Sequence, residues 1–357
     1  MKKYIFFTAS IFFLFSMSIF AQKGIIINSG AKMELNSGAI LIIGEDLGLF
    51  NNSTNSIFDG TVVFSGTSIQ EIGGSESTEF SVLDIDNNNN VFLSANTRIA
   101  DELILTNGVL DIRDFNLTLS DFSSVSGTFS SGNMINVDGS GMLNKEISTN
   151  DYFLLPVGDL TAGADYSSVE FDFISGSYSN ASVSVGVKNS KHPDNTSTTN
   201  YLNRYWILSS SGISDFSCDL TFNYVSDDIL GNEANIHGAI WNNSAWQSLG
   251  QASSNQFSGT TTSFNDVTGV DSQQVGVENI LNESLSVYYS SGFILIDNLN
   301  KLVLKNIQVY DLTGRLIRVS DINNAGNEKI SFSNSAGYYF IKINTEESFL
   351  IKKVFVN

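Results

Sequence analysis

The sequence predicts an all-β protein in three successive parts: a β-solenoid or β-helix of short rungs over 22–148, a β-sandwich over 149–276, and a small β-sandwich over 285–357. Three observations lead there. After residue 21 no stretch sustains a three/four-residue apolar period, whereas short apolar runs bounded by Gly, Asn, Ser and Asp recur throughout. In the first part these runs are three to five residues long and return every six to ten. In the second they lengthen and alternate apolar with polar.

The chain opens on Lys2 and Lys3, an apolar run from Ile5 to Phe20, and Ala21-Gln22. That order reads as a secretory signal peptide over 1–21, too short in its apolar run for a membrane anchor. Runs such as Ile25-Ile-Ile27, Ile40-Leu-Ile-Ile43, Thr61-Val-Val-Phe64, Leu103-Ile-Leu105 and Leu117-Thr-Leu119 follow, separated by turns such as Asn36-Ser-Gly38 and Asn107-Gly108. Stacked rungs that each bury one face against the next account for this spacing; a meandering sandwich is the alternative. In the second part Val169, Phe171 and Phe173 alternate with Glu170 and Asp172, and Ala181, Val183, Val185 and Val187 with Ser182, Ser184 and Gly186. Half-buried sandwich strands read this way. A polar linker over 277–284 precedes the terminal part. There, strands flank Asp311-Leu-Thr-Gly314, whose glycine suits a tight turn.

Charge separates the parts. The 357 residues carry a net −19. Residues 22–298 hold 8 Lys/Arg against 32 Asp/Glu, whereas 299–357 hold 8 against 5. The acidic body argues against nucleic acid and anionic membrane surfaces as partners. The change of sign marks the terminal part as a separate module. The lone cysteine, Cys218, has no disulfide partner within the chain and reads as a small buried apolar residue.

The terminal part carries Tyr310, Asp311, Gly314 and Arg315, then Gly337 and Tyr338, then Lys352 and Lys353. In order, spacing and placement these residues resemble the C-terminal sorting domain of cargo proteins of the type IX secretion system of Bacteroidota. Proteins of that family usually open the domain with a Tyr-Pro-Asn-Pro-like string; here Val287-Tyr-Tyr-Ser-Ser-Gly292 stands without proline. The resemblance implies signal-peptide removal, folding in the periplasm, passage through the translocon and removal of the domain by the sortase. Cargo is then released or attached to surface lipopolysaccharide, with no transmembrane anchor. Two further resemblances carry no chemistry. Gln70 in Ile69-Gln-Glu-Ile72, with the run from Leu83 to Asn87 and Asn107-Gly108, is similar to a repeat of secreted Bacteroidota proteins. Phe153-Leu-Leu-Pro-Val-Gly158 and Asn203-Arg-Tyr-Trp-Ile207, with Trp241 and Trp246, resemble a β-sandwich module found ahead of such sorting domains.

The body holds no catalytic motif. His192 and His237 are the only histidines, belong to neither His-Glu-x-x-His nor a Gly-x-Ser-x-Gly elbow, and read as surface turn residues. Glycoside hydrolysis needs one defined carboxylate pair, and 32 acids single none out. Polysaccharide lyase activity fits poorly, because the first part offers only Lys32, Arg98, Arg113 and Lys145 after Lys23. No cofactor is implied; Ca²⁺ is the one candidate ion, at Asp84 and Asp86 or at Asp227-Asp228 with Asn232 and Glu233. Trp241 and Trp246 flank a hairpin loop and form either a sugar-stacking platform or part of the core, while Trp206 reads as core. The expectation is a secreted or cell-surface protein with a non-enzymatic structural or adhesive body. A carbohydrate-binding module at Trp241 and Trp246 is the alternative, and a hydrolase a third class.

Overall fold

A computed structural model describes residues 23–242, 245–275, 284–299, 301–345 and 349–356. The proposed signal peptide and most of the proposed linker lie outside the described residues. The described residues are nearly all β, with 60% of them in strands. Two short 3-10 turns, Ser226–Asp228 and Glu233–Asn235, interrupt the strands of the body.

A solenoid of about six turns comes first. Its rungs alternate between two parallel sheets. On one face Gly24–Ile27, Gly48–Asn51, Gln70–Gly73, Val91–Leu93, Leu110–Asp111, Ile135–Asn136 and Val157–Asp159 stack in chain order. On the other, Ile40–Gly44, Thr61–Ser65, Thr78–Asp86, Thr97–Asn107, Leu117–Leu119 and Leu143–Ile147 do the same. Parallel pairing decides for the solenoid over the meander, since a meander pairs its strands antiparallel. Inward residues form ladders: Ile43 pairs with Phe64, Phe64 with Ile85, and Ile85 with Leu105. All four are buried.

Polar side chains inside the turns hold successive rungs together. Gln70 donates through Nε2 to the carbonyls of Ile43 (2.8 Å) and Leu47 (2.9 Å). Asn87 donates to Gln70 Oε1 (2.9 Å) and to the Ser68 carbonyl (2.8 Å). Both side chains are buried; three of these bonds satisfy backbone carbonyls and the fourth links the two side chains to each other. The glutamine and the asparagine in the repeat-like stretch are therefore the rivets between turns.

Beyond Leu143–Ile147 the second sheet continues with its direction reversed. Val169–Lys188 pairs antiparallel with it, then Tyr205–Asn223, Val267–Asp271, Ile236–Trp241 and Trp246–Gln251 follow. One apolar cluster runs from Ile27 to Val267 through both regions. Trp206 is fully buried, donates to the Ser167 carbonyl (2.9 Å) and packs against Phe222. Cys218 is buried in the same core, where burial pushes its thiol up to about 12.

Stacked turns leave little room at Gly108. Its φ is +92°, and a Cβ there would lie 1.9 Å from the Asn87 carbonyl oxygen. Gly30 has φ +78° but nothing within 4 Å. Gly30→Ala is expected to cost about 1 kcal/mol, the penalty of left-handed backbone alone. Gly108→Ala is expected to cost about 2–3 kcal/mol because a rung must also shift. Urea denaturation of the two variants checks this, and equal costs would contradict the close-stacking argument.

Candidate functional site

The terminal module builds its site from two sheets around its own core of Leu285, Ile294, Ile307, Val309, Tyr339, Ile341, Leu350 and neighbours. Leu285–Ser290, Phe293–Asn298 and Glu328–Ser331 form one sheet. The other has four antiparallel strands in the order Leu316–Asn324, Leu304–Tyr310, Gly337–Thr345 and Phe349–Val356.

Asp311 is the hub of the turn between the first two chain-order strands of that sheet. Its Oδ1 accepts from the backbone N–H of Thr313 (2.9 Å), the Thr313 hydroxyl (2.6 Å) and the backbone N–H of Arg315 (3.0 Å). Its Oδ2 accepts from Arg315 Nε (3.0 Å). Gly314, at φ +83°, donates its N–H to the Asp311 carbonyl at 3.0 Å. The Thr313 hydroxyl first, then the Arg315 and Thr313 amides, draw the Asp311 carboxyl down to about 2. One carboxylate thus ties Thr313 and Arg315 back to Asp311 and closes the turn.

Register then gathers the separated motifs. Tyr310 lies opposite Phe340, and Phe340 opposite Lys353. Gly337 lies opposite Val356, and Tyr338 opposite Phe355. The Asp311 turn, the start of one strand and the end of the last therefore meet at one end of a single sheet. Lys353 Nζ sits 4.2 Å from the centroid of the Tyr338 ring, which packs on Phe355 at 5.1 Å. Tyr338 and Phe355 are exposed. Lys352 and Lys353 do not act as a pair. Successive strand residues face opposite ways, so Lys352 is half-buried in the row of Leu350 and Val354 while Lys353 faces out.

Residues 290–357 match the family described as the secretion system C-terminal sorting domain. The chain is a cargo of type IX secretion with a C-terminal sorting signal, and is secreted or displayed at the cell surface. No curated protein matches the chain. Among the described residues no helix is long and apolar enough to cross a membrane.

In the body, the tryptophan hairpin has the expected register, with Trp241 directly opposite Trp246. The centroids of the two rings lie 4.9 Å apart. Trp246 is only 5% exposed and Trp241 half-buried, so the pair does not present two indole faces to solvent. Loop residues 243–244 lie outside the described residues. Neither histidine is a surface turn residue. His192 is buried against Trp246, with ring centroids 5.1 Å apart, and lies 3.1 Å from Asp266 Oδ2. His237 sits buried in the strand Ile236–Trp241, and burial lowers its pKa. Each ring fills core space next to the hairpin, which the sequence context of two isolated histidines did not reveal.

The carboxylates weighed as calcium ligands have other partners. Asp84 accepts from the Thr106 hydroxyl (2.8 Å) and Asp86 from Asn107 Nδ2 (2.6 Å). Asp228 accepts from Arg204 Nε at 2.6 Å. Glu233 accepts from the Tyr224 hydroxyl at 2.6 Å. Among the described residues, no group of three His, Cys, Asp or Glu side chains is arranged to hold a metal ion.

Sequence reasoning missed Arg204. Its guanidinium is fully buried and bonds three aspartates: Asp228, Asp165 (3.1 Å) and Asp159. Burial pulls against its charge, but Asp228 and Asp159 more than restore it. Burial pushes the Asp228 carboxyl up, with Arg204 opposing. The available signal was an arginine embedded in Asn203-Arg-Tyr-Trp206 within a body that holds only eight basic residues.

Two outcomes follow from this geometry. The Asp311 carboxyl is depressed, so its turn is fully held above about pH 4 and loosens as pH falls toward 2. Side-chain titration by NMR checks this, and a midpoint near 4 would contradict it. Arg204→Ala leaves buried carboxylates uncompensated and is expected to cost about 3–5 kcal/mol, read by denaturant unfolding. A loss below about 1 kcal/mol, typical of exposed pairs, would overturn the network.

Proposed function

We propose that the exported body is a non-enzymatic structural or adhesive element, delivered outside the cell once its terminal module has docked the secretion machinery. The observation that carries the export half is the meeting of Asp311, Arg315, Gly337, Tyr338 and Lys353 at one end of a rigid sheet. A folded edge with fixed turns, a basic side chain and exposed aromatic rings is a recognisable surface. In this reading the sortase then removes the module, and the body is released or joined to surface lipopolysaccharide. The structural half is supported by the continuous sheet from Ile40 to Gln251 and the long core shared by most of it. Its outward polar side chains bond one another along the sheet, as Ser184 does with Asn144 (2.6 Å) and Arg98 with Glu146. Sugar binding at the tryptophan hairpin is the second reading, favoured by the part of Trp241 that stays accessible.

Mass-spectrometric peptide mapping of surface and medium fractions tests the processing. The extracellular form is expected to lack the matched residues 290–357. Recovery of those residues in that form would overturn removal of the module. Asp311→Ala is expected to leave most of the protein inside the cell, read by fractionation; unchanged extracellular yield would show that the turn is not part of the signal.

A further inference from the structure

Lys145 stands where an apolar residue is due. It occupies the inward row of Leu143–Ile147, next to Leu119 in the ladder and opposite Val183. Its side chain is 3% exposed. Instead of a carboxylate, its ammonium meets three backbone carbonyls of one loop: Ser120 (2.6 Å), Asp121 (2.8 Å) and Ser123 (3.1 Å). Burying a lysine opposes its charge, and burial lowers its pKa. The clamp therefore lowers stability relative to an apolar residue, and what it secures is the shape of the loop.

That loop carries Phe122, which is 89% exposed, the most exposed large apolar side chain among the described residues. Across from it stands Tyr152, 58% exposed. The two border a depression of about 350 Å³ that also contains Asp121 and Asp151. Asp121 is shared with an adjoining open trough of about 510 Å³, floored by Thr118, Asn144 and Ser182. Aromatic rings carried by a backbone-clamped loop and a neighbouring strand, beside amide, hydroxyl and carboxylate groups, match the two sides of a sugar ring, its C–H face and its hydroxyls. A loop fixed before binding loses little entropy on binding.

We propose that the loop over 120–123, together with Tyr152 and the trough beside it, is a carbohydrate-binding site for neutral glycans. This site rests on the adhesive reading of the body and gives it a ligand class. The local charge disfavours an anionic sugar. Asp121 and Asp151 face the depression, Lys145 is committed to carbonyls, and Arg98 is taken by Glu79 (3.0 Å) and Glu146. A polyuronate would meet repulsion there.

The test is an array of neutral oligosaccharides and polygalacturonate probed with the full chain. Binding to neutral glycans is expected, reduced about tenfold by Phe122→Ala and retained by Phe122→Trp. Lys145→Met is expected to keep the β-sheet circular dichroism and weaken binding several-fold through the loosened loop. No neutral-glycan signal, or signal on polygalacturonate alone, overturns the site. Binding untouched by Phe122→Ala but abolished by Trp241→Ala also overturns it, moving the ligand to the hairpin. If the array is silent while deleting the protein still abolishes cell attachment, the site fails and the adhesive reading stands.

Discussion

A buried guanidinium shared by three aspartates sits where the architecture changes direction. Asp159 ends the last parallel rung of one solenoid face, Asp165 lies on the short strand that turns back antiparallel, and Asp228 closes a 3-10 turn beyond the long sheet strands. Arg204 immediately precedes the strand Tyr205–Asn223. A parallel solenoid can extend indefinitely by adding rungs, so something must stop it and redirect the chain. Four charges with hydrogen-bond geometry define one arrangement far more sharply than apolar contacts, which slide at small cost. Thr268 adds a bond to the Arg204 carbonyl at 2.5 Å, and Asn189 bonds Asp159 at 3.1 Å, so the junction is tied from both sides.

The two halves of the molecule solve different problems with the same backbone. The body is long and continuously paired, held by inward ladders and by Gln70 and Asn87 between rungs. The terminal module is small, with its own core, and invests in surface definition instead. The half-buried carboxylate of Asp311 receives four donors within its own turn. Such a turn keeps its shape without help from the body, as a transferable address must.

Much of this was legible in the residues. The short runs of the first region, three to five residues long and returning every six to ten, foretold rungs, because a rung can bury only as many inward side chains as its width allows. Alternation through Val169, Phe171 and Phe173 foretold strands with one face in the core, and all three are buried. Asp311 and Gly314 foretold their turn because every bond in it is local. The buried positions of His192 and His237 were not legible, since each depends on what packs against it from distant segments. Lys145 reads as an ordinary polar residue until its loop partners are brought alongside.

By itself the sequence determined the all-β class, the basic terminus and its likeness to a sorting domain, and narrowed the first region to a solenoid or a meander, because those rest on period, local turn chemistry and charge along the chain; the parallel pairing that makes it a solenoid came from the tertiary structure. The tertiary structure alone decided that Arg204 would join Asp159, Asp165 and Asp228, up to 45 residues away in the chain. It also decided that the sorting motifs share one sheet end, that Lys352 and Lys353 part company, and that Lys145 would shape the loop bearing Phe122. Each of these depends on cross-strand register and on desolvation, which arise only when distant segments close on one another.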